Sequence, residues 1–238
     1  MTLPLFRDDA YLRDAVGTVT TLTEEGGIVL DQSIFYPTSG GQPGDSGRLI
    51  WDGGAIEIAT SVKGDGDQIV LVPAEPSALP PEGTQVTQTL NWERRHRHMR
   101  VHTALHLLSV VIPLPVTGGS ISAEKGRLDF DMPDAPSAKE ELEVAINQLI
   151  SMNLPISDSW ITDAELDANP GLVKTMSVQP PRGSGRIRLV QIGEGANVAD
   201  LQPCGGTHVA RTLEIGQVRI GKIEKKGKQN RRVYLHLA

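Results

Sequence analysis

Two short histidine-bearing segments, far apart in the chain, constrain its fold more than any other feature. They read His102-Thr103-Ala104-Leu105-His106 and Cys204-Gly205-Gly206-Thr207-His208. Residues four apart lie one turn apart on the same face of a helix, which suits the first segment. The two glycines of the second segment indicate a turn. Three imidazoles and a thiolate are typical zinc ligands, so the sequence predicts one metal site shared by both segments.

Each segment also has a simpler interpretation. Two histidines at this spacing can be packed or surface residues of an apolar helix, and a single cysteine is commonly a small buried hydrophobe. The occurrence of both patterns in a chain with one cysteine favours the metal site. Three constant ligands would leave a position open for an activated water, whereas four would close the site and give zinc a positioning or structural role. Exchange of one ligand for substrate is the third alternative, and the sequence does not decide among them.

The composition fits a protein with a packed core and no covalent cross-link. Hydrophobic residues make up 39% of the chain, and its one cysteine cannot form an internal disulfide, which fits a reducing compartment. No basic segment followed by an apolar run marks a signal peptide, and no stretch approaches the roughly 20 apolar residues of a membrane span. We therefore expect a soluble, cytoplasmic protein with no membrane partner, whose oligomeric state the sequence does not indicate.

The net charge of −6 conceals an asymmetry. Residues 1–90 carry 13 acidic and 4 basic side chains, whereas residues 91–238 carry 16 acidic and 19 basic ones. The basic side chains cluster directly before His102 and again near the end of the sequence. Such clusters beside a chemical site predict a polyanionic partner, most simply a nucleic acid, and a solvated charged surface is the alternative. The clusters are Arg94, Arg95, Arg97 and Arg100, and Arg219, Lys222, Lys225, Lys226, Lys228, Arg231 and Arg232.

Residues 1–90 are predicted to form a small β-barrel or sandwich, because short β-branched or alternating runs are separated by glycine-rich turns. The predicted strands are Ala15–Thr23, Gly27–Asp31, Gly47–Trp51, Ala55–Val62, Gln68–Val72 and Val86–Asn91.

Residues 91–238 are predicted to form a second domain in which helices are segregated from strands, which makes the fold class α+β. The predicted helices are Trp92–Val111, ended by Pro113, then Pro136–Met152, which opens with Ser137, and Ala164–Ala168. The predicted strands are Gly126–Asp131, Leu154–Thr162, Gly185–Ile192, Thr207–Thr212, Gln217–Glu224 and Arg231–Leu237.

A glycine-rich segment is the third unusual feature. It reads Tyr36-Pro37-Thr38-Ser39-Gly40-Gly41-Gln42-Pro43-Gly44-Asp45-Ser46-Gly47. Its glycines permit positive φ and close approach of the backbone to another group. Gln42 and Asp45 could hold the loop or point at a ligand, and a tight turn within the first domain is the simpler alternative. No Gly-Lys-Ser or Gly-Lys-Thr follows, so the segment is not a phosphate-binding P-loop.

The GGQPGDSG segment, the arginines before HTALH and the PCGGTH segment together resemble the editing domain of alanyl-tRNA synthetases and the freestanding AlaX proteins. The resemblance covers nearly the whole chain and is closest in layout to the medium-sized AlaX type. It implies a small N-terminal β-barrel over residues 1–90 and a two-layer α+β editing domain over residues 91–238. That domain is of the type called the second additional domain of threonyl- and alanyl-tRNA synthetases. No synthetase catalytic core is expected before the barrel.

The resemblance also implies roles for particular residues. His102, His106, Cys204 and His208 would hold one zinc ion, and we expect the first three to be constant ligands and His208 to be bound most of the time. Thr103 and Thr117 are candidates for contacting the substrate or a water, although family members commonly have glutamine near Thr117. The substrate-binding candidates are Gly40, Gly41, Gln42, Asp45, Gly119 and Ser120. The RNA-binding candidates are Arg94, Arg95, Arg97, Arg100, Lys222, Lys225 and Lys226, with His96 and His98 expected at the surface.

The resemblance implies a zinc-dependent deacylase that hydrolyses mischarged alanine tRNA, recognised at its acceptor end. A pocket that hydrogen-bonds a serine hydroxyl disfavours alanine, whereas glycine lacks only a methyl group, worth about 1–3 kcal/mol. The first segment lacks the glutamate of HExxH, which argues against a zinc protease. The alternatives are a non-catalytic RNA-binding module with a structural zinc and a metal-dependent hydrolase of a small ester.

Overall fold

The computed structural model of the protein describes residues 1–134, 138–175 and 185–238. These residues form two compact units, Met1–His98 and Met99–Ala238. The division between the units falls inside a helix, and the division into domains after residue 90 stays a prediction. No helix in the described ranges is long and apolar enough to cross a membrane.

A closed six-stranded barrel dominates the first unit, which confirms the predicted barrel over a sandwich. The strands of this unit are Leu3–Pro4 (β1), Asp14–Leu22 (β2), Ile28–Leu30 (β3), Gln32–Ser33 (β4), Gly47–Trp51 (β5), Gly54–Lys63 (β6), Ile69–Pro73 (β7) and Gln85–Leu90 (β8). The barrel closes in the order β2-β3-β7-β6-β5-β8 with antiparallel neighbours throughout. The short strands β1 and β4 pair with each other in parallel.

Buried and exposed side chains alternate along the strands, and the buried ones fill the barrel interior. Leu49 in β5 is buried next to exposed Arg48, and Ile56 and Ile58 in β6 are buried on either side of exposed Glu57. Each fully buried aliphatic side chain of this kind contributes about 1.5–3 kcal/mol of transfer free energy. The same core cluster contains Phe6, Val19, Leu30, Phe35, Leu71 and Val86.

In the described residues after the barrel, the main elements are two antiparallel sheets and three α-helices. The elements are Trp92–Val111 (α1), Val116–Ile121 (β9), Lys125–Asp131 (β10), Lys139–Ser151 (α2), Ile156–Ile161 (β11), Asp163–Ala168 (α3), Ile187–Ile192 (β12), Asp200–Pro203 (β13), Val218–Lys225 (β14) and Asn230–Leu237 (β15). A four-stranded sheet has the order β14-β15-β10-β9, and a three-stranded sheet has the order β11-β12-β13. The α+β class is therefore confirmed.

Helix α1 approaches the four-stranded sheet closely because β10 carries a glycine at the crossing point. A Cβ atom on Gly126 would lie 2.7 Å from Cγ1 of Val101 and 2.9 Å from Cδ1 of Leu105. Helix α2 is fixed to β14 instead by polar contacts. The amide of Asn147 donates to the carbonyl of Val218 and accepts from its N–H, at 2.9 and 3.1 Å.

The predicted strand Thr207–Thr212 is wrong. Residues 207–210 are irregular, and Thr212 begins a short 3-10 helix that ends at Ile215. The reason is that the N–H of Val209 donates to the side chain of Thr103, 3.3 Å away, instead of joining a strand ladder. The predicted start of α2 at Pro136 and Ser137 lies outside the described residues.

Four strands were not predicted, namely β1, β4, β9 and β13. Three of them have at most four residues, which is too short for a visible alternation, and β9 contains Gly118 and Gly119. Helix α1 and strand β5 have the predicted bounds, and the remaining elements differ from their predicted bounds by a few residues.

Candidate metal centre

Helix α1 supplies two of the four predicted ligands. His102 and His106 are one turn apart on this helix, 8% and 7% exposed, and their ring centroids are 5.3 Å apart. Residues 99–108 contain neither glycine nor proline, so nothing in this sequence interrupts the helix. Residues 101–109 are all buried, so packing stabilises the helix there. Both imidazoles are therefore held by a rigid, buried element.

Strand β13 and the turn after it supply the other two ligands. Asp200, Gln202 and Cys204 alternate with Leu201 and Pro203, so their side chains lie on one face of the extended segment. The Gly205-Gly206 turn then reverses the chain and returns His208 to the same place. This turn is non-helical, as the two glycines predicted.

The guanidinium of Arg188 holds the turn from the neighbouring strand β12. It donates to the carbonyl of Cys204 at 3.3 Å and to the carbonyl of Gly206 at 2.9 Å. The backbone N–H of Cys204 in turn donates to the carbonyl of Arg188 at 3.1 Å. The position of the thiol is consequently tied to the three-stranded sheet.

The four predicted ligands converge on one point. Ligand atoms of His102, His106, Cys204 and His208 all lie within 4.8 Å of one another. The Sγ atom of Cys204 is 3.4 Å from Nε2 of His102 and 3.3 Å from Nε2 of His208. A tetrahedral zinc with ordinary Zn–S and Zn–N bonds would separate a sulfur and a nitrogen ligand by roughly 3.5 Å. The donor set and its spacing therefore fit one tetrahedral metal ion of the zinc type.

Thr103 positions His208. Its buried hydroxyl donates to the carbonyl of Met99 at 2.9 Å and accepts from the N–H of Val209. Because its one proton is used, the contact with Nδ1 of His208 at 3.2 Å is one in which the imidazole donates. Nε2 of His208 is then the unprotonated atom, as metal binding requires. The hydroxyl has no capacity left, so its expected contact with substrate or water is wrong.

A buried carboxylate holds His106 in the same way. Oδ2 of Asp200 is 2.9 Å from Nδ1 of His106 and accepts from the amide of Gln202 at 2.7 Å. Its other oxygen forms an ion pair with Lys174. Ser109 donates to the carbonyl of His106 at 2.7 Å, one turn further along α1.

The charges of the cluster reinforce one another. Burial alone would lower the pKa of His106, but the hydrogen bond to Asp200 and the charge of Cys204 raise that pKa to about 9. Burial opposes ionisation of the Cys204 thiol, yet the neighbouring His102 and His208 hold its pKa well below the usual value. Burial and the charge of His102 lower the pKa of His208 to about 3. The shifts favour a thiolate at Cys204 beside a protonated His106.

The other predicted contacts of this part of the chain lie in strand β9. The hydroxyl of Thr117 donates to the carbonyl of Asp129 at 3.1 Å and accepts from the amide of Asn230 at 2.7 Å. Both partners belong to the same sheet, so the Thr117 hydroxyl links strands of that sheet. Gly119 is exposed and Ser120 half-buried on the same strand, and their contact with a substrate stays a prediction.

The glycine-rich loop is held by its own polar residues. Gly40 and Gly41 are exposed and adopt φ of +56° and +83°, which favours glycine. Gln42 is buried. Asp45 is buried as well, and its carboxylate accepts from the N–H of Tyr36 at 2.6 Å and from Arg95. The loop-holding alternative is therefore correct for Asp45, whose expected role in substrate binding is wrong.

The arginine cluster does not form one surface. Arg95 is buried and bonded to Asp45, so its expected contact with RNA is wrong. Arg94 donates to the carbonyl of Ala59, and Arg97 forms an ion pair with Glu93 one turn earlier, at 2.9 Å. Arg100 donates to the carbonyl of Ile215 at 2.9 Å.

The histidines and lysines predicted to lie at the RNA surface also differ in exposure and partners. His98 is buried, so its expected place at the surface is wrong. His96 stacks on Trp92 with ring centroids 5.3 Å apart. Lys222 and Lys226 both form ion pairs with Glu224, at 2.9 and 3.0 Å, and Lys225 is exposed.

Four residues that support the centre were not predicted: Asp200, Gln202, Lys174 and Arg188. The spacing of Asp200 and Gln202 before Cys204, at every second position, is a signal in the sequence that could have identified them. Lys174 and Arg188 gain their roles only from the tertiary fold, and no local pattern marks them.

Two family models match the sequence. The model of the threonyl and alanyl tRNA synthetase second additional domain matches residues 187–234, which include Cys204 and His208. The model of class II (A) tRNA synthetases matches residues 10–94.

Similar proteins cover the whole chain. An alanyl-tRNA editing protein AlaX-M from Methanosarcina acetivorans is 34% identical over 100% of this chain and 99% of its own length. An AlaX-M protein from Saccharolobus solfataricus is 31% identical over 98% of both chains. An alanine–tRNA ligase from Pyrobaculum arsenaticum is 36% identical over 94% of this chain, which matches 25% of the ligase.

Proposed function

The chain belongs to the AlaX-M family of alanyl-tRNA editing proteins, and we propose that it is a zinc-dependent deacylase of mischarged alanine tRNA. The proposed substrates are tRNA(Ala) charged with serine or with glycine, and the deacylation rates decide which of the two is preferred. The reaction is hydrolysis of the ester that joins the amino acid to the terminal ribose. It takes place in the cytoplasm, where translation supplies aminoacyl-tRNA.

One observation carries this proposal. His102, His106, Cys204 and His208 meet within 4.8 Å in a chain that is similar to AlaX-M proteins over its full length. Neither feature alone is sufficient, because buried histidine clusters occur without metals and family members can lose activity. Together they support one zinc ion per chain, with these four residues as its ligands.

The chain's own residues prepare the site for ester hydrolysis. Bound zinc would supply a Lewis acid that polarises the ester carbonyl and, when His208 leaves its position open, would lower the pKa of a water there toward about 7. Asp200 and Thr103 fix the imidazoles of His106 and His208, so that both present Nε2. The burial of His102 and His106 limits access of bulk water, which strengthens electrostatic interactions at the site.

The substrate is held at two places. We assign the tRNA backbone to the exposed lysines around the end of β14, Lys222, Lys225 and Lys226, with Arg94, Arg97 and Arg100 of α1 as further contacts. Residues Gly40, Gly41, Gln42, Gly119 and Ser120 are assigned to the amino-acid end. Discrimination follows from polar pairing, since a pocket that hydrogen-bonds the serine hydroxyl leaves its own groups unpaired when alanine is bound.

A non-catalytic RNA-binding module with a structural zinc is the second candidate. The observation in its favour is that all four candidate ligands converge, because closed four-ligand sites are typical of structural zinc. In that case the protein would bind tRNA(Ala) and leave its ester intact.

The experiment that decides is deacylation of tRNA(Ala) charged with serine, glycine or alanine by the zinc-loaded protein. Rapid loss of serine with alanine spared would establish editing. Binding of all three tRNAs with no hydrolysis would establish the RNA-binding module. Hydrolysis of a small aminoacyl ester at the same rate as the tRNA would argue against both.

A further inference from the structure

Asp200 is a buried carboxylate outside the ligand set, so metal ligation does not explain why it is buried. The residue is 3% exposed, although burial of an unused carboxylate is costly. Three polar groups surround it: Nδ1 of His106, the amide of Gln202 and the ammonium of Lys174. The carboxylate is thus fully engaged on the side of His106 that faces away from the other ligands.

The orientation of these groups determines which nitrogen of His106 carries the proton. The amide of Gln202 must present its nitrogen to Asp200, because its oxygen would face a negative charge. The same amide nitrogen is 3.1 Å from Nδ1 of His106, and both can donate to the one carboxylate oxygen between them. Nδ1 is therefore protonated, and Nε2 is the atom left to the metal.

The supports of His106 and His208 differ in strength. His106 donates to a carboxylate, whereas His208 donates to the neutral hydroxyl of Thr103. A hydrogen bond to a charged acceptor is stronger than one between neutral groups. A carboxylate partner also makes an imidazole a stronger metal ligand.

We propose that Asp200, held by Lys174 and Gln202, is a positioning residue that holds the imidazole of His106 more firmly than Thr103 holds that of His208. The inference rests on the proposed zinc site and extends it to a residue outside the ligand set. Asp200 contacts neither substrate nor metal; it acts through the ring of His106. Gln202 shares the task because it sits two residues before Cys204 on the same face of the strand.

A purely structural role is the competing explanation, in which the buried pair of Asp200 and Lys174 only ties β13 to residue 174. The two explanations differ in what Lys174 does. If Asp200 positions His106, Lys174→Met leaves the carboxylate on the imidazole, and zinc affinity falls less than in Asp200→Asn. If the ion pair only stabilises the fold, Lys174→Met and Asp200→Asn have the same effect.

The test is zinc affinity of the full chain, measured by competition with a chromophoric chelator. We expect Asp200→Asn to lower the affinity about 10- to 100-fold and Lys174→Met to lower it less than Asp200→Asn does, because the carboxylate remains on His106. Asp65→Asn, the same change on an exposed turn of the barrel, is the matched control. Asp200→Glu should recover part of the loss. The absorption spectrum of the cobalt-loaded protein should change in Asp200→Asn alone, since it reports the ligand field.

A second measurement on the wild type covers the case in which Asp200→Asn does not fold. NMR of the zinc-loaded protein with labelled histidine should show His106 protonated at Nδ1 and metal-bound at Nε2. The opposite tautomer, or equal zinc affinity in the wild type and Asp200→Asn, would overturn the proposal and leave the zinc site intact. A wild-type protein that takes up no zinc would overturn the zinc site itself, and this proposal with it.

Discussion

Arg95 and Asp45 form an ion pair from which solvent is excluded, with side-chain exposures of 0% and 1%. Nε of Arg95 lies 3.0 and 2.9 Å from the two carboxylate oxygens. The remaining guanidinium nitrogens donate to the carbonyls of Ala10 and Ile34, at 2.9 and 2.6 Å. The pair therefore joins the first turn of α1 to the glycine-rich loop and to two further segments of the first unit.

Breaking this pair should destabilise the protein strongly. Arg95→Met leaves the carboxylate of Asp45 buried without its partner, and such losses cost about 3–5 kcal/mol. Urea unfolding at neutral pH measures the difference in free energy of unfolding. Arg97→Met, which removes an exposed pair with Glu93, is the control and should change it by less than about 1 kcal/mol. Equal effects of the two variants would contradict the role of Arg95.

Loss of the thiol should abolish metal binding and deacylation together. Cys204→Ala removes the one sulfur ligand, around which the imidazoles of His102 and His208 are arranged at 3.4 and 3.3 Å. Zinc content by elemental analysis and the rate of serine release from Ser-tRNA(Ala) should both fall. A variant with unchanged zinc and full activity would show that the site has been assigned wrongly. Ser109→Ala, near the cluster but outside the ligand set, serves as the control.

Zinc binding should release about one proton from the metal-free protein near neutral pH. The pKa of His106 is raised to about 9, so its imidazole is protonated below that pH and must lose the proton to bind zinc. The neighbouring imidazoles depress the pKa of Cys204, so the thiol should contribute less than an unperturbed cysteine would. Apparent zinc affinity should therefore rise with pH, about tenfold per unit, and level off above about pH 9. Calorimetry in buffers of different ionisation enthalpy counts the proton; a count of zero would contradict this charge state.

A methyl group at residue 126 should disturb the packing of α1 on β10. In Gly126→Ala the new Cβ would lie 2.7 Å from Val101, a contact that the helix must relieve by shifting, at a cost of about 1–3 kcal/mol. Thermal unfolding measures the loss. Gly171→Ala places the same methyl group where nothing lies within 4 Å, so its unfolding temperature should stay close to that of the wild type. A Gly126→Ala protein as stable as Gly171→Ala would show that the helix is not seated this closely.

Neutralising the exposed lysines near the end of β14 should weaken tRNA binding and reduce its dependence on salt. For Lys222→Gln with Lys225→Gln, each lost phosphate contact should lower the slope of log affinity against log salt by about 1. Binding of uncharged tRNA(Ala) at several salt concentrations gives that slope. Lys139→Gln with Lys63→Gln, two exposed lysines outside the proposed RNA contacts, is the charge-matched control. An unchanged slope would show that these lysines do not contact the RNA and that the RNA-binding surface lies elsewhere.

The convergence of the four candidate ligands could be predicted because each pair carries its own spacing. The spacing of His102 and His106 indicates one face of a helix, and the glycines between Cys204 and His208 indicate a turn. In both cases the residue types and the local structure can be recognised within five consecutive residues. The barrel could be predicted for a similar reason, since alternating strands and glycine turns are local signals. The residues around the ligands are different, because Lys174 and Arg188 acquire their partners only when distant segments meet.

Arg95 shows why charge clusters are ambiguous in a sequence. Its neighbours in the cluster lie on other faces of the helix, and its partner Asp45 lies 50 residues earlier. Nothing local distinguishes an arginine that faces solvent from one that is buried with a carboxylate. Thr103 fails for a related reason, since its position within the HTALH segment does not reveal that its hydroxyl is saturated.

Asp200, Gln202 and Cys204 alternate along β13 and the residue after it, so the candidate metal centre depends on the register of this strand. A slip of one residue against β12 would turn all three side chains to the opposite face at once. The thiol of Cys204, the amide of Gln202 and the carboxylate of Asp200 would then leave the cluster together. If the cluster binds a metal as proposed, metal content would report whether the three-stranded sheet has paired correctly.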